Sequence, residues 1–373
     1  MSKLDECILG DLVEFQRGYD LPKSKFVEGK YPVQSSNGIL GYHNEYKVEG
    51  PGITIGRSGT VGTPHLIREN FFPHNTSLFV KEFKGNDIEY IYYLLQYLDL
   101  GNQKSGSGVP TMNRNHLHPI KIRAYRDKTY QQRTIKILSL IDKKIQINNQ
   151  INQELEAMAK TLYDYWFVQF DFPDQNGKPY KSSGGKMVYN PELKREIPEG
   201  WGVESVGNLL DKVTKAEKIE NNSIEFIGEI PVIDQSQKYI AGFTNNENAI
   251  LQPQDGHVIF GDHTRVVKYI NFDYARGADG TQVLISNNEN ISNVLLYHMI
   301  EDFDLSNYGY ARHFKFLKEK TVIVPDKEVS SKFETQANVI YEKIKNNIFE
   351  NQELTQLRDL LLPMLMNGQV RVK

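Results

Sequence analysis

The sequence predicts a mixed fold of the α/β (α+β) class, in which two similar globular domains are joined by a pair of long antiparallel coiled-coil helices as an internal pseudo-two-fold repeat. Three observations predict this fold. Two long stretches carry apolar residues at helical spacing, the residues of one stretch recur in the other at a fixed offset, and a region of short strand-like segments precedes each stretch.

The first long stretch, residues 129–168, contains neither Pro nor Gly. Its apolar residues recur every three or four positions and form one helical stripe: Ile141, Ile145, Leu155, Leu162 and Trp166. At a rise of 1.5 Å per residue the helix would be roughly 60 Å long, whereas the mean helix has about 11–12 residues. A helix of this length needs a second helix to bury its apolar stripe.

The second long stretch, residues 333–366, repeats the first at an offset of 199 residues, lacks Gly, and has its only Pro at Pro363. Both copies place Asn among the apolar seam residues, where a buried polar side chain costs stability but fixes register. The shared offset favours a matched antiparallel or crossed pair over two ordinary amphipathic core helices. The predicted helix-pair seam comprises Ile141, Ile145, Asn148, Asn152, Leu155, Ile340, Ile344, Asn347, Asn351 and Leu354.

Composition places the chain among ordinary globular proteins. Its 373 residues predict two or three domains, and 39% hydrophobic with 24% charged residues is typical of a soluble protein. The formal charge of −3 gives no global sign of nucleic-acid binding, so any basic surface must be local. The single cysteine, Cys7, excludes an internal disulfide framework and a Cys-rich zinc site. The sequence has no signal peptide and no apolar run of membrane-spanning length, so we expect a cytoplasmic protein without membrane contact.

The first domain, residues 1–126, reads as short strands with one aromatic-rich helix. In chain order we predict a strand at 31–33, a polar turn at 34–38, a strand at 52–56 followed by a loop at 57–59, a helix at 88–98, a Gly-Ser loop at 104–110 and a strand at 120–122. The first spacer helix, residues 127–168, follows. Gly, Pro, Ser and Asn then crowd residues 169–200, which we predict to be a connector without strands.

The second domain, residues 201–326, repeats the first. The strand at 230–232 matches 31–33 at the same offset of 199, and the strand at 256–259 matches 52–55 at an offset of 204. The helix and last strand recur at 291–299 and 321–325, while residues 308–313 replace the Gly-Ser loop. The second spacer helix occupies residues 327–373. The frame therefore repeats while the loops differ, which is expected if both halves do the same job on different targets.

The centre of the chain resembles a known family. Residues 162–173 (LYDYWFVQFDFP), 177–187 (GKPYKSSGGKM) and 197–201 (IPEGW) resemble the central region of the DNA-specificity subunit of type I restriction–modification systems. Family members often begin the first long helix with an apolar-Pro-x-x-x-Glu-Gln motif, where this chain has YRDKTYQQ at residues 125–132. This departure affects where the helix starts, and the repeat plan still covers the whole chain.

The resemblance implies a DNA-recognition subunit without a catalytic centre, metal or cofactor of its own. Each domain would be a target-recognition domain that reads one half of a bipartite, asymmetric double-stranded DNA site. The helices would set the spacer and dock two modification subunits, which bind S-adenosylmethionine and methylate adenine at N6. Restriction subunits, where present, would cleave DNA using ATP and Mg²⁺. The alternative is a non-catalytic protein–protein scaffold with duplicated binding domains.

Polar loop residues are the candidates for DNA contact, because Arg and Lys read guanine, Asn and Gln read adenine, and Ser and Thr read either. In the first domain they are Gln34, Ser35, Ser36, Asn37, Arg57, Ser58, His65, Asn75, Thr76, Lys104, Ser107, Asn113 and Arg114. In the second they are Asp234, Gln235, Ser236, Asp262, His263, Arg265, Lys268, Arg276, Arg312, His313 and Lys315. At each position, a phosphate contact or a solvated loop is the alternative to base contact.

Apolar clusters at the ends of the two long helices are the candidates for a partner interface. They comprise Tyr163, Tyr165, Trp166 and Phe167 on the first helix and Leu361, Leu362, Met364 and Leu365 on the second. Such clusters mark either packing against the protein's own domains or a protein interface. We predict the interface with the modification subunits.

Overall fold

A computed structural model of the chain describes residues 4–102, 111–211, 213, 216–309 and 312–372. The chain forms two compact units. Unit 1 contains residues 1–147 and 351–373, and unit 2 contains residues 148–350. Each unit therefore includes one segment of each of the two long helices.

Unit 1 is a strand-rich domain with one well-formed short helix. Its elements are β1 (Asp5–Ile8), β2 (Glu14–Arg17), β3 (Tyr31–Ser35), β4 (Gly38–His43), β5 (Gly52–Gly56), β6 (Pro64–Ile67), β7 (Phe72–Pro73), β8 (Ser77–Glu82), α1 (Ile88–Tyr97), α2 (Arg114–Leu117), β9 (Lys121–Ala124) and the first part of α3 (Lys128–Tyr163). Short 3-10 turns lie at Leu9–Asp11, Lys23–Lys25 and Leu100–Asn102.

Unit 2 begins in α3, which ends in a π-helical turn at Asp164–Val168. Its further elements are β10 (Met187–Asn190), β11 (Arg195–Pro198), β12 (Gly202–Ser205), β13 (Leu210–Asp211), β14 (Ile230–Ile233), β15 (Gly242–Thr244), β16 (Ile250–Leu251), β17 (His257–Gly261), β18 (Val267–Ile270), β19 (Tyr274–Arg276), β20 (Thr281–Ser286), α4 (Asn293–Ile300), α5 (Phe314–Lys318), β21 (Thr321–Val324) and most of α6 (Lys327–Met366). Short 3-10 turns lie at Val206–Leu209, Asn221–Ser223, Glu247–Ala249 and Ser306–Tyr308.

The sheets of the two units share one plan. Unit 1 has a sheet of order β2-β8-β5-β6 and a second of order β4-β3-β7, while unit 2 has β13-β20-β17-β18 and β15-β14-β19-β16. In each unit the hairpin β3–β4 or β14–β15 is antiparallel, and its first strand pairs in parallel with β7 or β19. Antiparallel pairs β1–β9 and β12–β21 complete the two sets. The prediction of a mixed α/β fold is confirmed.

Apolar burial holds each unit together. Strand β5 is buried along its whole length, and α1, capped by the Asp87 carboxylate accepting from the Tyr90 amide over 3.1 Å, packs in the same hydrophobic core. The start of α3 is anchored by the buried Gln131, whose amide donates to Asn86 Oδ1 and the Tyr125 carbonyl, both over 2.7 Å. Buried amide hydrogen bonds of this kind fix the position of the start of the helix.

One prediction about the connector is wrong. Residues 169–200 contain the hairpin β10–β11, in which Met187 lies opposite Pro198. The turn between the strands forms because Asn190 Oδ1 accepts the amides of Glu192 and Leu193, and because Lys194 adopts a positive φ of 53°. Such a local side-chain turn is weakly marked in sequence, since Asn in a polar segment is equally typical of an irregular loop. None of the described helices combines the length and apolar character needed to cross a membrane.

Candidate nucleic-acid interface

Four loops of unit 1 meet at the ends of β3, β5 and β7. We call these loops, residues 36–37, 57–63, 74–76 and 111–114, loop cluster 1. The Ser36 amide donates to Thr76 Oγ1 over 3.3 Å, and the Arg57 amide donates to the Thr76 carbonyl over 2.8 Å. The Met112 amide donates in turn to the Arg57 carbonyl over 2.8 Å. Two backbone hydrogen bonds and one bond to a side-chain hydroxyl therefore connect the four loops to one another.

The DNA-contact candidates of unit 1 differ in exposure. Asn37, Asn113 and Arg114 are exposed on loop cluster 1. The half-buried candidates are Arg57, Ser58, His65, Asn75 and Thr76. Lys104 and Ser107 lie outside the residues that the structure describes.

Three other candidates of unit 1 need a correction. Gln34 and Ser35 lie in β3 and not in a turn, so the predicted turn at 34–38 shortens to Ser36 and Asn37. Gln34, Ser35 and Ser36 are only 3%, 9% and 6% exposed. The Gln34 amide donates to the Ser35 carbonyl, and the Ser35 hydroxyl donates to the Gly38 carbonyl. Because these side chains build the β3–β4 hairpin, they are not free to read bases, and Asn37 at the tip is the exposed member.

Unit 2 has an equivalent set of loops. We call residues 234–238, 262–266, 277–280 and 312–315 loop cluster 2. The Asp262 amide donates to the Gly280 carbonyl over 2.7 Å, and the His313 amide donates to the Asp262 carbonyl over 2.9 Å. The Thr264 hydroxyl donates to the Gln235 carbonyl over 2.6 Å. As in unit 1, these hydrogen bonds bring four separate loops to one surface.

The candidates of unit 2 also divide by exposure. His263, Arg265, Arg312 and Lys315 are exposed and give loop cluster 2 a concentration of cationic and hydrogen-bonding groups. The half-buried candidates are Asp234, Gln235, Ser236 and Arg276. Arg265 has a positive φ of 64°, a conformation that is uncommon for residues other than Gly and often occurs at functional loops.

Asp262, Lys268 and His313 are corrected from surface candidates to buried groups, with exposures of 4%, 5% and 3%. The Asp262 carboxylate accepts the Phe314 amide over 2.9 Å, and His313 Nδ1 lies 3.0 Å from the Asp262 carbonyl. Their polarity suggested DNA contact in the sequence, but the structure uses it to hold loop cluster 2 together. Residue type alone does not distinguish DNA contact from internal support of a loop, because a side chain uses the same donors and acceptors in both roles.

Strand register shows that the two loop clusters occupy the same place in each unit. Val33 in β3 pairs with Phe72, and Val232 in β14 pairs with Ala275. In the central hairpins, Thr54 lies opposite His65 and Ile259 lies opposite Lys268. The described residues contain no group of three or more His, Cys, Asp or Glu side chains placed to hold a metal ion. Both surfaces are thus suited to polar recognition by loops on equivalent scaffolds.

Within unit 2 the long helices α3 and α6 meet through their seam asparagines. Asn347 Nδ2 donates to Asn152 Oδ1 over 2.7 Å in a buried contact, and Asn148 Nδ2 donates to Glu350 Oε2 over 2.7 Å. All ten predicted seam residues are buried or half-buried. From Asn148 to Asn152 along α3, the bonded partner on α6 changes from Glu350 back to Asn347, so the two segments run antiparallel in this unit.

Within unit 1 the two helices meet through an ion pair. Arg358 Nη1 lies 3.0 Å from Asp142 Oδ1, and the Tyr93 hydroxyl donates to Asp142 Oδ2 over 2.6 Å. Tyr93 belongs to α1, so this contact links the domain helix to both long helices. The side chain of Asp142 is 30% exposed and that of Arg358 is 26% exposed. Partial desolvation makes the pair stronger than a fully exposed one.

Known proteins share this sequence pattern and this fold. The sequence profile of the type I restriction modification DNA specificity domain matches residues 1–157. The MjaIX specificity subunit of Methanocaldococcus jannaschii is 26% identical over 318 residues, covering 76% of this chain and 69% of the relative. The HindI specificity subunit of Haemophilus influenzae is 24% identical over 320 residues, covering 65% of this chain and 68% of the relative.

The crystal structure of a type I restriction–modification S subunit from M. genitalium superposes with a TM-score of 0.59 at 17% identity, covering 98% of this chain and 96% of that one. This likeness extends the shared fold over the whole chain. The sequence profile and these relatives support a specificity subunit of a type I restriction–modification system. These relatives are specificity subunits, which are the non-catalytic DNA-recognition components of type I restriction–modification systems.

Part of the predicted partner interface is buried in this chain. Trp166 and Phe167 are 3% and 2% exposed, and the Phe167 ring packs edge-on against Phe333 at 5.1 Å within the core of unit 2. Leu365 is 1% exposed in the core of unit 1. The interface prediction is corrected for these three residues, since they pack against the subunit's own domains. Tyr163, Leu361, Leu362 and Met364 are half-buried, and Tyr165 is 38% exposed.

The chain instead exposes other apolar residues along both long helices. In unit 2, Met158 and Val339 are 59% and 70% exposed, and with Tyr165 they line a groove of about 730 Å³ between α3 and α6. In unit 1, Leu140 and Leu357 are 58% and 45% exposed. We call these two pairs the apolar patches. Leu140 precedes Val339 by 199 residues and Met158 precedes Leu357 by the same number. These four residues were not among those predicted for the interface, although the offset of 199 residues relates them in the sequence.

Proposed function

We propose that the chain reads a bipartite, asymmetric double-stranded DNA site, with one target-recognition domain for each half. Target-recognition domain 1 comprises residues 1–126 and target-recognition domain 2 comprises residues 201–326. The observation that carries this proposal is the presence of two loop clusters at equivalent strand positions with different exposed side chains. Equivalent scaffolds with different loops give two readers of the same kind for two different sequences.

The exposed members of the loop clusters are the proposed base readers. Arg265 and Arg312 in loop cluster 2 suit bidentate recognition of guanine, while Asn37 and Asn113 in loop cluster 1 suit adenine. Arg57 belongs to the same set because it is only half-buried, and its Nη1 donates to the Asn75 carbonyl of loop cluster 1 over 3.4 Å. Arg114, His263 and Lys315 complete the cationic surface and suit phosphate contact. The buried candidates support these loops from within.

The long helices, residues 127–168 and 327–373, are proposed to form an antiparallel coiled coil that sets the spacer between the half-sites, with residues 169–200 as the linker. The Asn152–Asn347 hydrogen bond supports a fixed register, because shifting either helix would leave both buried amides unpaired. A fixed register would give a fixed number of base pairs between the two half-sites.

The apolar patches are proposed to dock two copies of the modification subunit, one on each patch. Their residues match at the repeat offset, so each of two identical partners would contact a similar pair of exposed apolar side chains. Exposed apolar side chains between helices are typical of protein interfaces. The partners would supply S-adenosylmethionine and adenine-N6 methylation, and restriction subunits, where present, would add ATP- and Mg²⁺-dependent cleavage in the cytoplasm.

The alternative, a scaffold that binds two proteins through its duplicated domains, is less well supported. Protein-binding loops would be expected to carry aromatic and Met anchors. The described parts of the loop clusters instead expose Asn, Arg, His and Lys side chains. These residue types favour DNA as the ligand of the loops.

One experiment tests the proposed function. The chain is copurified with the modification subunits encoded beside it, the complex is incubated with S-adenosylmethionine and a random duplex library, and methylated adenines are mapped. We expect a two-part consensus with a fixed spacer, and no methylation by the chain alone. A single contiguous consensus, or methylation by the isolated chain, would contradict the proposal.

A further inference from the structure

Lys268 lies in β18 beneath loop cluster 2 and is unusual among the DNA-contact candidates. Its side chain is 4% exposed, so the ammonium does not reach the surface. Nζ donates to the Asp234 carbonyl over 2.8 Å and to the Lys238 carbonyl over 2.5 Å. These two carbonyls stand at the two ends of the loop 234–238. One side chain therefore closes that loop from below.

The same loop organises its neighbours. Gln235 Oε1 accepts the His263 amide over 3.1 Å, and Gln235 Nε2 donates to the Asp279 carbonyl over 2.9 Å. The Asp234 carboxylate accepts both the amide and the hydroxyl of Ser236 over 2.9 and 2.6 Å. A change in the shape of loop 234–238 would thus move the backbone next to His263. Exposed groups of loop cluster 2 depend on a loop that Lys268 holds.

Unit 1 has a side chain of similar chemistry at the same position. His65 in β6 lies opposite Thr54, as Lys268 in β18 lies opposite Ile259. His65 Nε2 lies 3.4 Å from the Ser36 carbonyl, in the turn between β3 and β4. The corresponding loop of unit 2 is the one that Lys268 closes. Both units therefore place a nitrogen donor under the turn that follows the first strand of the hairpin.

We propose that Lys268 is a positioning residue for sequence discrimination by target-recognition domain 2, and that it acts by holding loop 234–238 in its reading conformation without touching DNA. The inference rests on the proposed function and names a specificity determinant within it. A buried ammonium is seldom required for stability, since an apolar side chain of similar size often serves as well. Its value here lies in geometry, because three N–H donors on one atom reach the carbonyls at both ends of the loop.

Burial has a second consequence for this residue. It lowers the pKa of Lys268 to about 8, and the Asp234 carboxylate, 3.9 Å from Nζ, partly opposes this shift. At neutral pH most of the lysine is still charged and can donate to both carbonyls. A neutral amine keeps only two donors and binds carbonyls less strongly. The two hydrogen bonds from Lys268 Nζ to loop 234–238 are therefore present at the neutral pH at which DNA recognition is measured.

The test compares Lys268→Met with wild type in the complex with the modification subunits. Initial methylation rates are measured on the cognate duplex and on duplexes with one base pair changed in either half-site. We expect Lys268→Met to lower discrimination in the half-site read by target-recognition domain 2 by about tenfold, with discrimination in the other half-site unchanged. Lys268→Arg, which keeps donors at this depth, is expected to restore part of the loss.

Lys238→Met is the matched control. It removes an exposed charge from the same loop but leaves the Lys238 carbonyl that Lys268 binds. We expect it to weaken binding to all duplexes alike and to keep discrimination. His65→Ala supplies a second variant, with the expected loss confined to the opposite half-site, so that the idea stays testable if Lys268→Met folds poorly.

Two results would overturn the inference. Unchanged discrimination in Lys268→Met would show that loop 234–238 holds its shape without the Lys268 hydrogen bonds. Equal loss on all sequences would show that Lys268 supports the fold or DNA binding in general and does not position a sequence-reading loop. Failure of the proposed function looks different, because wild type itself would then show no dependence on the sequence of either half-site.

Discussion

His257, at the start of β17, is a half-buried side chain whose charge is suppressed by its surroundings. Its Nδ1 lies 3.1 Å from Tyr274 Oη, and the two rings meet edge-on at 5.8 Å. Removal from water lowers the pKa of His257 to about 4, from its ordinary 6.5. The folded state therefore holds a neutral imidazole over a pH range in which the unfolded chain is protonated.

This difference predicts an acid-sensitive stability. Since the folded pKa is below the unfolded one, the contribution of His257 is complete above pH 6.5 and is lost as the pH falls toward 4. The loss would reach up to roughly 3 kcal/mol, at 1.36 kcal/mol per pKa unit. Urea unfolding of wild type and His257→Gln at pH 7.5, 6.0 and 4.5 checks this. The wild type should lose more stability than the variant on acidification, and parallel pH curves would refute the assignment.

Residue types alone predicted the polarity of the recognition surface but not which side chains reach it. Lys268 and Arg265 look equally suited to DNA in the sequence, yet Lys268 is buried under loop 234–238 and Arg265 is exposed on loop 262–266. The apolar character of Trp166 and Phe167 is likewise visible in the sequence, but the surface that covers them is not. Hydrophobicity specifies burial against something apolar, and only the packing shows that Phe333 and Trp201 of the same unit provide it.

At the scale of elements, the Asn152–Asn347 hydrogen bond is a buried side-chain contact between α3 and α6. Asn347→Leu should destabilise unit 2 by about 1–3 kcal/mol, because the amide of Asn152 would stay buried without its partner. The double variant Asn152→Leu/Asn347→Leu should recover that loss while relaxing the register of the helices. A double-mutant cycle measured by urea unfolding checks the coupling.

Lys343→Leu is a suitable control for this cycle, since Lys343 lies on the exposed face of α6. Its effect on the free energy of unfolding should stay within about 0.5 kcal/mol. Additive single effects in the cycle would mean that the two asparagines do not depend on each other.

The apolar patches give a second prediction at this scale. Val339→Asp should remove one of two bound modification subunits, because a carboxylate would be buried without a partner at the interface. Leu140→Asp should remove the other, and the double variant should bind neither. Both positions are exposed, so the folded chain tolerates the change. Native mass spectrometry gives the stoichiometry, with Lys343→Asp as the control. Two subunits still bound to the double variant would exclude these patches as docking sites.

At the scale of the whole molecule, the proposed spacer function depends on helix length. Four residues inserted into α3 after Ile147, together with four into α6 after Glu350, lengthen the helix pair by about 6 Å. This corresponds to about two base pairs at 3.4 Å each. We expect the mapped consensus to keep both half-sites and to gain roughly two base pairs of spacer. A consensus with the original spacer, or one with altered half-sites, would count against the helices as the spacer.

The frame of this protein is visible in its sequence. Apolar spacing in two stretches without Gly, where Pro363 near the end of the second is the one Pro, predicted the two long helices, the offset of 199 residues matched their seams, and the central segment resembles a known family. These features are local or periodic, so they can be recognised from the sequence alone. The strands at 31–33, 52–56 and 230–232 were predicted for the same reason.

Which residues form each surface depends on packing between segments that are distant in sequence. Loop clusters 1 and 2 each join four loops that lie far apart in sequence, and backbone hydrogen bonds such as that from Asp262 to Gly280 bring them together. Burial then divides similar side chains into groups that face outward and groups that hold the loops from within. The physical reason is that side-chain chemistry is a property of the residue, whereas exposure is a property of everything packed around it.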